Sequence, residues 1–195
     1  MRISMKAAFA AILFSCVSVV AMAANKPADE LAGTIKALLP VGGGDWGTIE
    51  EVKQIKWAPL PPKMLDNCLP DGGCFTRVGT LAPGGQPMAI KATGARTIVS
   101  NFYIKNSGPP LGEAPLIAAL GSAGLSPNLA RCPVYPEDGV HNSKWWRVKS
   151  GAFSGYVSLT HSTGAKAWEG IGYHAGDDLP ALDPSEAKEY SERCR

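Results

Sequence analysis

Thr97-Ile98-Val99-Ser100-Asn101-Phe102-Tyr103-Ile104-Lys105 is dominated by β-branched and aromatic side chains. Such residues suit a half-buried pleated surface, so the stretch reads as a strand. Working back from it, Pro87 to Ala92 and Phe75 to Leu81 have the same character. Pro83-Gly84-Gly85 and Thr93-Gly94-Ala95 separate the three runs and read as turns. Working forward, Trp145 to Lys149 and Phe153 to Thr160 flank Ser150-Gly151 as a hairpin. Phe153, Gly155, Val157 and Leu159 share one face of its second strand, and Trp168 to His174 is a further strand.

Helical spacing appears between these runs. In residues 28–39 the apolar Leu31, Ile35, Leu38 and Leu39 fall on one face. Pro27, Asp29 and Glu30 suit the first turn, and Pro40 ends the helix. Glu113 to Ala123 carries Leu116, Ile117 and Leu120 on one face, with Gly124-Leu125 as its stop. Asp183-Pro184-Ser185-Glu186 opens a last helix that places Ala187, Tyr190, Ser191 and Cys194 together. Thr48-Ile49-Glu50-Glu51 fits a capping box, while Val52 to Trp57 fits helix and strand equally. Ser126-Pro127 reads as the start of a short helical turn. The order predicts an α+β fold, a mostly antiparallel sheet with about three helices and two disulfides.

Compartment decides how the cysteines are read. Arg2 and Lys6 precede an uncharged run from Ala7 to Val20, and Ala21-Met22-Ala23 supplies a small-x-small cleavage site. Residues 1–23 therefore read as a signal peptide and residues 24–195 as one globular domain, periplasmic or secreted. The apolar core is too short for a membrane span. Leu13-Phe14-Ser15-Cys16 loosely resembles a bacterial lipoprotein box, but Phe14 is bulky for it and the apolar run continues past Cys16. Cleavage removes Arg2, Lys6 and Cys16. Lys plus Arg then falls from 19 to 17 against 17 Asp plus Glu. A neutral chain without a basic tail or Lys/Arg cluster gives a nucleic-acid or anionic-membrane partner no electrostatic support.

Four cysteines in an exported chain point to disulfides, and the pairing 68–74 with 132–194 is preferred among three connectivities. Leu69-Pro70-Asp71-Gly72 suits a type I turn that reverses the chain between Cys68 and Cys74. The short loop constrains the unfolded chain by about 2 kcal/mol and the longer one by about 4 kcal/mol in the entropy model. Cys-x5-Cys is not a zinc spacing, and no metal or other cofactor is implied.

These features frame two functional readings. In the first, the clipped turn presents Leu69, Pro70, Asp71 and Gly72 to a protein or cell-wall partner. The chain is then a non-enzymatic binding domain of inhibitor or immunity type. In the second, His161 and His174 join Asp177 or Asp178 in a small hydrolase or metal-dependent enzyme. No nucleophile-elbow, zinc-helix or phosphate-loop motif supports the second reading. Gly42-Gly43-Gly44 lacks the lysine and preceding strand of a phosphate cradle and reads as a flexible loop. Trp145, Trp146 and Trp168 could form a carbohydrate-stacking surface, with at most one of the first two on any one face.

Overall fold

The computed structural model describes residues 26–64, 74–108, 110–134, 141–162, 167–182, 184–192 and 194. The predicted signal peptide, Cys16, Cys68 and the turn Leu69 to Gly72 lie outside the described residues.

Helix α1 spans residues 26–38, and Ala28, Leu31, Ala32, Ile35 and Leu38 are wholly buried along it. Burying each of the larger side chains contributes about 1.5–3 kcal/mol. Glu30 lies on the other side of the helix, where its Oε2 accepts a 2.6 Å hydrogen bond from the Gly84 N–H. Glycine is required at that contact, because its φ is +61° and a Cβ would press on Pro27.

Strands β1 (Lys56–Trp57) and β2 (Lys63–Met64) both pair with β3 (Phe75–Leu81). The sheet continues through β4 (Met88–Gly94) and β5 (Val99–Lys105). Helix α2 (Glu113–Ser122) follows, then β6 (Asn128–Pro133), β7 (His141–Ser150), β8 (Phe153–Ser162) and β9 (Gly170–Ala175). A single helical turn, α3 (Pro184–Ala187), leads into β10 (Tyr190–Ser191). Every pairing is antiparallel, and the order is β1-β3-β4-β5-β9-β8-β7-β6-β10. The topology is nearly two-fold. A helix followed by an antiparallel meander occurs twice, and the last strands of the halves, β5 and β9, pair at the centre with Phe102 opposite Tyr173.

Alternation along the strands sorts the side chains. Leu81, Ile90, Phe102, Ile104, Val157, Leu159, Ile171 and Tyr173 face the buried core. Thr76, Val78, Lys91, Asn101, Tyr103, Ser158, His174 and Trp145 take the opposite face. The core includes the inner sides of both helices, with Leu116 and Leu120 from α2 fully buried.

Several expectations are corrected. The last helix shrinks to α3, and Tyr190 and Ser191 leave it to pair as β10 with Pro133 and Cys132. The Cys132–Cys194 disulfide therefore fastens a strand rather than a helix. Two helices of ten or more residues, not three, stand among the described residues, and one disulfide is seen with both partners. Residues 128–133 form β6 where a helical turn is expected from Ser126-Pro127, because the β7 edge is open to accept them. Within Val52 to Trp57 only Lys56–Trp57 forms a strand, β1, and Val52 to Ile55 is a turn closed by the Ile55 N–H donating to the Val52 carbonyl at 3.1 Å.

The capping box does not form. Asp45 Oδ1 accepts from the Gly47 and Thr48 N–H groups at 2.7 and 3.2 Å, and Thr48–Glu51 is one 3-10 turn. Glu50 turns instead to the buried Arg77, with 2.7 Å between Oε1 and Nη2. The glycine loop is not loose. Gly43 N–H donates to Val99 O at 2.7 Å, Val99 N–H donates to Gly44 O at 2.9 Å, and Gly42 packs on Ala175.

Candidate functional site

The strands that flank the expected clipped turn are among the described residues, although residues 65–73 are not. Met64, the last residue of β2, is the partner of Phe75, the first of β3. The intervening chain therefore joins two neighbouring antiparallel strands. Cys74 is disulfide-bonded, with its partner outside the described residues. Around this junction Leu60, Met64 and Val78 are 46, 64 and 54 % exposed. Beside Val78 a cavity of about 210 Å3 is lined by Ala58, Pro59, Pro61 and Thr76, with Lys63 and Arg77 also in its wall. The prolines matter here. Without N–H donors they cannot extend a ladder, so this edge closes in side chains rather than in another strand.

The histidines do not converge. His161 shares the core-side alternation of Val157 and Leu159, whereas His174 lies on the other face opposite Asn101 and Tyr156. His161 Nε2 is buried without a hydrogen bond, 3.9 Å from Glu113 Oε2, and Lys144 Nζ already holds that carboxylate at 2.9 and 3.1 Å.

His174 is fixed differently. Its Nδ1 lies 2.7 Å from Asn101 Oδ1, which can only accept, so Nδ1 carries the proton and Nε2 is bare. Burial lowers its pKa from the ordinary 6.5 to about 4, so it is neutral at pH 7. Asp177 turns away to a local clamp, accepting from Arg147 Nη2 and Ser154 Oγ at 2.7 Å each. The Ser154 hydrogen bond, and then Arg147, hold its carboxyl below the usual range. Tyr156 donates to the Asp177 carbonyl at 2.9 Å, so this segment is a braced turn after β9. Asp178 is exposed on the same turn. Among the described residues no group of three His, Cys, Asp or Glu could hold a metal ion.

The tryptophans separate in the same way. Trp146 and Trp168 are 5 and 1 % exposed and belong to the core, so no three-tryptophan platform exists. Trp145 takes the other face, where its ring lies 4.8 Å from the His174 ring and 5.8 Å from Arg131 Cζ. Arg131, itself buried, donates to Pro180 O at 2.7 Å and pairs with Glu192 at 3.1 Å. It thereby ties the C-terminal segment over this half of the sheet.

Balanced net charge conceals a strong segregation. Between residues 74 and 112 there is no Asp or Glu at all, and between 52 and 64 there is none either. Lys56, Lys63, Lys91 and Lys105 come from these stretches and are all exposed. Pairing puts them on one side of the sheet. Lys56, Thr80, Ala89 and Lys105 form one row across four strands, Val78, Lys91 and Tyr103 the next, and Lys63, Thr76, Thr93 and Asn101 the third. The signal that sequence reading missed is local composition, which a whole-chain charge averages away.

No protein family model, curated protein or solved structure matches the chain. No helix among the described residues is long and apolar enough to cross a membrane.

Proposed function

We propose that this chain is an exported binding domain, without catalytic chemistry of its own, that acts by contact with a protein partner. The contact lies at the end of the sheet where β2 passes into β3. The observation that supports this reading is Val78, 54 % exposed, at a cavity lined by Ala58, Pro59, Pro61 and Thr76 beside the paired strand ends, with Leu60 and Met64 also exposed on the neighbouring chain. Exposed apolar side chains that gather round a concavity are a recurring mark of protein interfaces. Closing Cys68 to Cys74 would order the neighbouring turn before contact and so reduce the entropy lost on binding. An inhibitor or immunity-type role is in keeping with a contact loop ordered in advance. Export is in keeping with the Cys132–Cys194 disulfide.

The test compares three forms of residues 24–195 in affinity capture from a periplasmic extract, with melting temperature measured alongside. These are the parent, Leu60→Ser with Met64→Ser and Val78→Ser, and Leu69→Ser with Pro70→Ala and Asp71→Ser. Buried interface anchors cost about 2 kcal/mol or more of binding, roughly thirtyfold, whereas exposed positions cost about 0.5 kcal/mol or less of stability. Lost capture at an unchanged melt supports the reading. Capture that survives both triple changes ends it.

A further inference from the structure

We propose that the open face of β1 to β5 is a docking surface for an acidic polypeptide segment. This rests on the binding reading above and names the chemistry of its partner. The four exposed lysines span the face. Lys56 and Lys105 lie in one row and are separated by three strand spacings, or about 14 Å. Lys63 belongs to a row four residues further along β3, about 13 Å away. That spread exceeds what one phosphate or carboxylate can bridge, and it suits several carboxylates carried on a chain. Beyond Lys56 the surface continues into a groove of about 510 Å3, lined by Lys53, Gln54, Lys56, Thr80 and Pro87.

The middle row argues for protein rather than another polyanion. Val78 and Tyr103, 54 and 43 % exposed, flank Lys91. Apolar and aromatic side chains set among the lysines give a protein partner surface to bury as well as charge to pair. The four cations on this face are all lysines, and none offers the planar fork that favours phosphate and base edges. Tyr103 lies flat over Gly170, where a Cβ would run into its ring, so it does not stand out as a wedge for a lipid surface. Burial, and then the nearby Glu169 carboxylate, raise the pKa of the Tyr103 phenol, and Glu169 marks the border of the patch. The other half of this face is covered from Asp177 to Glu192 by the segment that Arg131 and Tyr156 hold.

The experiment titrates residues 24–195 with a synthetic twenty-residue peptide of mixed Glu and Leu. Its Lys-for-Glu counterpart, phosphatidylglycerol vesicles and duplex DNA serve as competing probes. The first variant carries Lys56→Gln, Lys63→Gln, Lys91→Gln and Lys105→Gln. A control of equal charge change carries Lys26→Gln, Lys36→Gln, Lys149→Gln and Lys188→Gln. The acidic peptide is expected to bind, to weaken as salt rises, and to lose about tenfold or more in the first variant with little change in the control. Val78→Ser with Tyr103→Ser should weaken it several-fold without altering the salt dependence. Equal losses in variant and control overturn the proposal, as does tighter binding of vesicles or DNA than of the acidic peptide, or no binding of it at low salt. If the four-lysine variant still captures the partner that Leu60→Ser, Met64→Ser and Val78→Ser loses, the acidic-partner inference falls and the binding reading stands.

Discussion

Acidification should weaken the fold through His174, and the size of the effect follows from its surroundings. The imidazole is buried, donates through Nδ1 to Asn101 and packs on Trp145. Burial favours its neutral form and takes the pKa from 6.5 to about 4. The unfolded chain therefore binds a proton that the native chain refuses. Stability is complete above the unfolded value, falls as pH drops through 6.5, and levels off below about 4. Proton linkage puts the loss at about 2 kcal/mol by pH 5 and about 3 kcal/mol by pH 4. Acid stability also depends on carboxylates, which begin to protonate toward the acid end of this range. The measurement is consequently a difference: urea unfolding of the parent and of His174→Gln at half-unit steps from pH 7.5 to 4. Glutamine retains an amide donor within reach of Asn101 but does not titrate. The variant should be the less stable form at pH 7 and should lose less on acidification, so that the two curves converge by about 3 kcal/mol. Parallel curves would refute the argument, because they would mean that His174 protonates as readily in the native protein as in the unfolded one.

Three further outcomes are expected. Arg77→Ala should cost about 1–3 kcal/mol or more, because it leaves the Ala58 and Trp46 carbonyls without their donor, as denaturant midpoints will show. Cys194→Ser should destabilise more than Cys68→Ser, by about 2 kcal/mol in the loop-entropy model, and a larger loss for Cys68→Ser in paired melts would reverse the ranking. Ile35→Ala, at a wholly buried position on α1, should cost about 2–5 kcal/mol, whereas Lys26→Ala on the exposed side should shift the melt little.

Local pattern by itself determined the helices over residues 26–38 and Glu113–Ser122, the three strands from Phe75 to Lys105, the Ser150-Gly151 hairpin and the separation of Trp145 from Trp146. These depend on periods of 3.6 and 2.0 that neighbouring residues impose whatever the rest of the chain does. The Cys132–Cys194 pairing was legible too, but its setting was not. Residues 190–191 carry a helical pattern, yet an open β6 edge offers their backbone a ladder, and that long-range offer outweighs a weak local preference. Only the tertiary structure could part His161 from His174, since two residues on adjacent strands share or divide a face according to register. Only strand pairing could turn an acid-free stretch into a surface, because alternation along β3 sends Arg77 inside and Val78 out. Registry with β4 and β5 then lines up Val78, Lys91 and Tyr103, residues far apart along the chain. The sequence holds the charges, and hydrogen bonds between distant segments decide where they stand.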